Sequence, residues 1–388
     1  MSVTAAKGFA AAGVSAGIRP SGKPDVALVR SLVPAVGAAM WTLNRVQAAP
    51  VVVSREHLAS AEPQAVVVNA GVANAATGAA GEEDARATAA HAASLLGLAP
   101  EQVVVLSTGV IGPRLPMSAL RTGVDEAAAA LSPGGGPAAA EAILTTDAGP
   151  KTAVAERAGF TVGGMAKGAG MIHPCLATML AVVTTDYPLE PGEADAFLRP
   201  AVERSFNRIS VDGDCSTNDA VVLLANGACG RARDSASDEV FAEALRSVCD
   251  DLARQIVADG EGATVVLEIA VSNASSAAEA EAIARRVATS PLVKTAAFGR
   301  DPNWGRVLAA AGSAPWNGGF ARLDPDALSV SFDGTAVYAS GAPTGRVPTL
   351  SGAACRIELD LGLGDGSAGY LASDLSTDYV KLNAEYTT

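Results

Sequence analysis

Residues 161 to 185, TVGGMAKGAGMIHPCLATMLAVVTT, bring together the groups of this chain best placed to do chemistry. Gly163, Gly164, Gly168 and Gly170 surround a single cation, Lys167, and read as a loop whose backbone N–H groups can approach a ligand closely. Thr178 to Thr185 is a β-branched, apolar run with the character of a buried strand. Between them lies Ala177-Thr178, a small residue before a hydroxyl, where loop enters strand. Taken alone, that step is an ordinary strand start, because threonine is a good strand former. To act as a nucleophile its hydroxyl would need a base beside it. A second candidate is Ser107 to Gly112, STGVIG, where a polar residue followed by glycine places the Thr108 hydroxyl beside the Gly109 N–H at the end of a strand.

The elements that must position these groups follow from periodicity and punctuation. Ala65 to Asn69 and Val103 to Leu106 read as short buried strands, and Asn69 to Gly78 as a loop of glycines and asparagines suited to positive φ. Glu82 to Leu96 reads as a helix with acidic residues in its first turn, as the macrodipole favours. Met117 to Ala130 and Ala138 to Leu144 read as further helices, and Asp147 to Thr161 as a surface strand pair. Glu190 to Phe206 reads as helix and Ala220 to Ala225 as strand. Val240 to Val257 is the clearest helix, with Phe241, Leu245, Val248, Leu252 and Ile256 on one face and Ser237 or Asp238 as N-cap. After Asp259 the rhythm changes: a strand at Val265 to Val271, a helix at Ala277 to Ala288, and strands near Leu328 to Phe332, Cys355 to Leu361 and Tyr379 to Leu382. This part reads as a second, smaller α/β domain. GVSAG at Gly13 to Gly17 lacks the strand-turn-helix context of a nucleophile elbow.

With 388 residues the chain is long enough for two domains, each with its own core. Its 28 basic and 41 acidic residues leave a formal charge of −13, which argues against nucleic acid or an anionic membrane as partner. The 5 cysteines include no CxxC pair and fit a reducing compartment. No apolar run reaches a membrane span and no leader is recognisable, so a cytoplasmic protein is expected. No metal site is expected from the spacing of histidine, cysteine and carboxylate.

The block KGAGMIHPCLATML resembles the self-cleavage site of the ornithine acetyltransferase family. Further blocks similar to that family, in matching order over essentially the whole chain, are NRVQAAPV, STGVIG, TTD (Thr145 to Asp147), SVDGDCSTND, DGEGAT (Asp259 to Thr264), SPLVKTAAFGRDPNWGR and the closing NAEYTT. Val72 stands where the family pattern leads one to expect asparagine. The resemblance implies an α+β fold: a layered α/β/β/α sandwich of the N-terminal-nucleophile, self-processing type over residues 1–260, with the smaller α/β domain over 261–388. It implies cleavage between Ala177 and Thr178, giving chains 1–177 and 178–388 that assemble as an α2β2 heterotetramer. Thr178 would then be the nucleophile with its own α-amine as base, and Thr108 and Gly109 the oxyanion hole. Thr145, Lys167, Thr178, Glu261, Asn383 and Thr388 would bind substrate. The implied activity moves acetyl from N-acetylornithine to glutamate, with no cofactor and with acetyl-CoA as an additional donor in bifunctional members. The rival expectation is an aminopeptidase or amidohydrolase of similar architecture, in which water takes the acyl group.

Overall fold

The computed structural model describes residues 2–173 and 179–385, so Ala177, Thr178 and Thr388 lie outside the described residues. The described residues form two compact units, one of residues 2–173, 179–207 and 214–256, the other of Arg208–Gly213 and residues 257–385. The short excursion Arg208–Gly213 carries no mark in composition, and a single division at 260/261 does not contain it.

In the first unit the strands are β1 (Phe9–Val14), β2 (Val26–Ser31), β3 (Val36–Trp41), β4 (Ala65–Val72), β5 (Val103–Val110), β6 (Lys151–Arg157), β7 (Phe160–Lys167) and β8 (Leu180–Thr185); past the two-residue β9 (Ile209–Ser210) of the second unit comes β10 (Ala220–Ala225). They make two sheets, β1-β2-β4-β5 and β3-β10-β8-β7-β6. In the first, β4 and β5 are parallel; in the second, β8 and β10 are parallel at the centre.

The helices are α1 (Ala49–Ser60), α2 (Gly78–Leu96), α3 (Met117–Ala129), α4 (Gly136–Ala142), α5 (Ala194–Arg204) and α6 (Ser235–Ala258). Alternation along the strands explains the layering, because successive side chains point to opposite faces. Val66, Val68, Val104 and Leu106 share one core with Leu180, Val182, Val222 and Leu224, which places the two sheets face to face. Val67, Val103 and Val105 point the other way into a core with Ala89, Ala93, Leu120 and Val124 of α2 and α3. On the far face of the second sheet a Cβ on Gly164 would meet Leu252 and Val248 of α6 at 2.9 and 3.1 Å. The order is therefore helix, sheet, sheet, helix, and strands covered on both faces read as continuous apolar runs.

Several local expectations are corrected. Gly163 and Gly164 lie within β7, which ends at Lys167, and are not part of a ligand loop. Their bare Cα atoms serve packing: a Cβ on Gly163 would sit 2.4 Å from Ser2 O. β5 runs on to Val110, so Thr108 and Gly109 belong to the strand rather than follow it. The helix α2 starts at Gly78, one turn before the acidic residues, and α6 starts at Ser235. At that start the Asp234 carboxylate accepts from Ser237 N (2.8 Å) and the Ser237 hydroxyl accepts from Asp234 N (2.9 Å), a reciprocal cap that replaces the expected one.

In the second unit, β11 (Val266–Ala274), β12 (Pro315–Trp316), β13 (Gly319–Phe320), β14 (Ser329–Phe332), β15 (Thr335–Ala339), β16 (Ala342–Pro343), β17 (Ala354–Asp360) and β18 (Gly366–Ser373) are joined by α7 (Ala277–Ala288), α8 (Pro291–Phe298) and α9 (Trp304–Ala311), and α10 (Thr377–Glu385) closes the described chain. One sheet, β16-β15-β14-β17-β11-β18-β9, carries the core, with Leu267, Ile269 and Val271 packed among Ile283, Val287 and Val307. The expected strand at Tyr379 to Leu382 is helical. Ser376 explains it, since its hydroxyl accepts from Tyr379 N at 3.2 Å as an N-cap does, with Asp378 in the first turn.

The five-residue spacing pattern on α6 is buried throughout, each of its apolar residues being at most 1% exposed. Phe241 stacks on Tyr187 at 4.6 Å between ring centres and meets Phe160 and Phe197 edge-on. Phe241→Ala should lower the unfolding free energy by about 3–5 kcal/mol, the usual cost of emptying a buried aromatic site. Urea unfolding measures it, and a loss under ~1 kcal/mol would show that this cluster does not fasten α6 to the second sheet.

Candidate active site

The site residues of the first unit meet where the end of β5 comes close to the end of β7. Lys167 is 2% exposed and Thr108 3% exposed. The Lys167 Nζ donates to Thr108 Oγ1 at 3.2 Å. A hydroxyl whose lone pair is taken by an ammonium has its own proton directed elsewhere, so Thr108 is oriented to donate. Gly109, next along the strand, has φ of +131°, and a Cβ there would fall 2.2 Å from the backbone of Gly71. Only glycine fits. The β4–β5 register slips at this point, Val72 pairing with both Thr108 and Val110, and such bulges re-aim the backbone groups of a strand.

A carboxylate that the sequence reading left without a role holds this corner together. The side chain of Asp147 is fully buried and accepts from Lys151 Nζ at 2.7 Å, Gly168 N at 2.6 Å and Thr145 N at 3.0 Å. Burial by itself would raise the Asp147 pKa; the ammoniums of Lys167 and Lys151, with the hydrogen bonds from Lys151 and Thr145, hold it well below the usual carboxylate range. Thr145 is thus pinned beside Asp147, and its carbonyl accepts from Arg19 Nη2 at 3.3 Å. The TTD block contains both residues, but a single sequence does not show that its acid is buried. Lys151, four residues on, is the readable hint: an i,i+4 pair outside any helix. Behind β5, Asn218 Nδ2 donates to Ser107 O (2.9 Å) and Ala73 O (2.7 Å), fixing the strand from below.

In the second unit the structure brings Glu261 and Asn383 together, Asn383 Nδ2 donating to Glu261 Oε2 at 2.8 Å. The turn that carries Glu261 is tied to the start of α10. Ser376 Oγ donates to Gly262 O at 2.7 Å, and a Cβ on Gly262, whose φ is +67°, would lie 2.5 Å from Tyr379 N. The Asp374 carboxylate accepts from Thr264 N and Val265 N at 2.8 and 3.1 Å and so continues the fastening. The buried thiols of Cys249 and Cys355 are pushed up by desolvation, Cys355 to about 12, which makes both poor nucleophiles. Among the described residues no cluster of histidine, cysteine and carboxylate could hold a metal, and no helix is long and apolar enough to cross a membrane.

A four-layered α+β unit brings a hydroxyl, a strained glycine and a buried lysine together at two strand ends, an arrangement whose donors can hold a developing negative charge. Similarity to known proteins makes this specific. The model of the ArgJ family matches residues 10–388. The arginine biosynthesis bifunctional protein ArgJ of Streptomyces coelicolor is 48% identical over 392 residues, covering 100% of both chains, and that of Mycolicibacterium paratuberculosis is 49% identical over 399 residues, covering 100% of this chain and 96% of that one. The solved ornithine acetyltransferase of Mycobacterium tuberculosis, complexed with ornithine, is 45% identical over 45% of this chain and 94% of its own, with a TM-score of 0.44. The chain belongs to the ArgJ family.

Replacing Asp147 by asparagine removes a carboxylate from between two buried ammoniums and should cost about 3–5 kcal/mol at neutral pH. The folded carboxyl titrates below its ordinary value of 3.8, so its stabilisation is complete above that pH and fades as pH falls toward the folded pKa. Unfolding free energies of wild type and Asp147→Asn should therefore converge on acidification below about pH 4. A difference that stayed constant there would remove the charge of Asp147 from the account.

Proposed function

We propose that this protein is an acetyltransferase of arginine biosynthesis that carries an acetyl group from N2-acetyl-L-ornithine to L-glutamate through an ester on Thr178. Membership of the ArgJ family supports the activity. The observation that carries the mechanism is the buried contact of Lys167 with Thr108, because it turns the Thr108 hydroxyl into an oriented donor beside Gly109.

Self-cleavage comes first. The Thr178 hydroxyl attacks the Ala177 carbonyl, the acyl group passes from nitrogen to oxygen, and water hydrolyses the ester. Before this the Thr178 nitrogen is an amide with no basic lone pair; afterwards it is an α-amine with a pKa of about 8, one short side chain from Oγ. That amine takes the hydroxyl proton as Oγ attacks the acetyl carbonyl, and it returns a proton to the departing ornithine. Glutamate then attacks the acetyl-threonine ester by the same steps in reverse. Each tetrahedral intermediate places an oxyanion against the Thr108 O–H and the Gly109 N–H, donors that contribute about 3 kcal/mol each in such sites.

The substrates carry charges of both signs. Lys167, the ammonium beside Thr108, meets a substrate carboxylate. Thr145 lines the same corner. Glu261, whose carboxylate accepts from Asn383, pairs with the side-chain ammonium of ornithine, and Thr388 is a further substrate-binding residue. The chains 1–177 and 178–388 remain associated as an α2β2 assembly in the cytoplasm. No cofactor takes part, and acetyl-CoA serves as a second acetyl donor. A hydrolase would use the same nucleophile with water as acceptor; the family relationship favours transfer.

Thr178→Ala should yield a full-length, uncut and inactive chain on a denaturing gel. Two fragments from that variant would assign cleavage to an external protease. Thr108→Ala should slow both cleavage and acetyl transfer by on the order of 100-fold, since one hydroxyl serves both oxyanions. Normal rates for both steps would take Thr108 out of the mechanism.

A further inference from the structure

Asp219, the residue before β10, is 0% exposed and has no part in the steps above. Its Oδ1 accepts from Met179 N at 3.0 Å. The backbone around it is locked: Ala220 N donates to Met179 O at 3.1 Å, and Thr42 N donates to Asp219 O at 3.0 Å. Among the described residues its other oxygen, Oδ2, has no hydrogen-bond partner. The Thr42 hydroxyl cannot supply one, because it spends its proton on Ser216 O at 2.7 Å. An ionised carboxylate in such a place would carry an unsatisfied, desolvated charge. The neutral acid is the favoured form: burial drives the Asp219 pKa well above the usual range, and the Met179 N–H and the field of Lys167 pull it only partly back.

The place of this acid in the chain is what gives it a use. Met179 follows Thr178 directly, and consecutive Cα atoms are about 3.8 Å apart, so a carboxyl clamped on Met179 N is within one residue of the Thr178 nitrogen. That nitrogen is the leaving group of self-cleavage, and an amide nitrogen leaves only as it gains a proton.

We propose that Asp219 supplies the proton that lets the Thr178 nitrogen leave when the acyl group moves to the Thr178 hydroxyl; this rests on the reading of Thr178 as nucleophile. The balance closes without a further reactant. The Oγ–C bond forms and the C–N bond of the Ala177 peptide breaks. Asp219 gives its proton to the nitrogen, making the amine, and the proton shed by the hydroxyl restores the acid. Met179 N, held on Oδ1, keeps the carboxyl in register throughout.

Asparagine separates this role from anchoring, because its side-chain carbonyl still accepts from Met179 N while its amide cannot transfer a proton. Purified Asp219→Asn should be folded, with a Tm near wild type, yet remain as precursor, its cleavage slowed by about 100-fold or more. Asp219→Ala should be uncut as well. Wild-type cleavage in Asp219→Asn with failure only in Asp219→Ala would reduce the residue to an anchor and overturn the proposal. Thr178→Ala run alongside tells the two readings apart: fragments there defeat the nucleophile itself, whereas an uncut Thr178→Ala with normally cut Asp219→Asn defeats only the role of Asp219. Should Asp219→Asn fail to fold, the slow-cutting Thr108→Ala precursor decides through its pH profile. Lys167 on β7 is the charged group whose field reaches Asp219, and it faces Asp147 in turn. With an acid as donor, cleavage slows as rising pH removes the Asp219 proton; a flat or rising profile overturns the proposal.

Discussion

Two lysine ammoniums and one carboxylate are buried together at the edge of the first unit, and the candidate site depends on how they are balanced. Asp147 stands between Lys151 and Lys167, its second oxygen held by the Thr145 N–H and its first also bound by the Gly168 N–H. Taking an ammonium out of water is costly unless a countercharge and good hydrogen bonds go with it. With Asp147 in place, Lys167 can stay charged at 2% exposure and reach Thr108. The same carboxylate sets the position of Thr145 and of the backbone that leaves β7. Three residues read as separate parts of a pocket are thus parts of one electrostatic unit.

The sandwich supplies the rigidity this arrangement needs. Thr108 and Gly109 lie on a strand whose two faces are filled by different cores, and Lys167 ends a strand backed by α6. Neither group sits on a free loop. Asn218 bonds into β5 and Asp219 clamps Met179, so the turn before β10 fastens both β5 and the start of β8. The bulge at Gly109 is the local irregularity in an otherwise regular ladder, and such bulges re-aim the backbone groups of a strand.

Much of this was legible in the sequence because periodicity and burial go together. The α6 face, the buried run of β8 and the helix α7 appear where their patterns place them. What escaped was set by neighbours rather than by local composition. The glycines of TVGGMAK look like loop residues, yet they are strand positions crowded by Ser2 and by α6. Tyr379 to Leu382 carries strand-forming residues, but the Ser376 cap starts a helix there. For the site, a resemblance in short blocks named Thr108, Lys167, Glu261 and Asn383, and two of the contacts found join just these residues: Lys167 with Thr108, and Asn383 with Glu261. Asp147 and Asp219 lie inside blocks that the sequence marks, but a carboxylate's burial depends on strands far away in sequence, and Lys151, four residues past Asp147, is the one local hint of it.

The central claim is that the acetyl group rests on the Thr178 hydroxyl between donor and acceptor. Enzyme mixed with N-acetylornithine in the absence of glutamate, quenched in acid and digested, allows that carrier to be located by peptide mass spectrometry. The account predicts one added acetyl group on the peptide that begins at Thr178, lost when glutamate is added before the quench. An acetyl group found instead on the peptide containing Lys167, or no acetylated peptide while transfer proceeds at its normal rate, would contradict it.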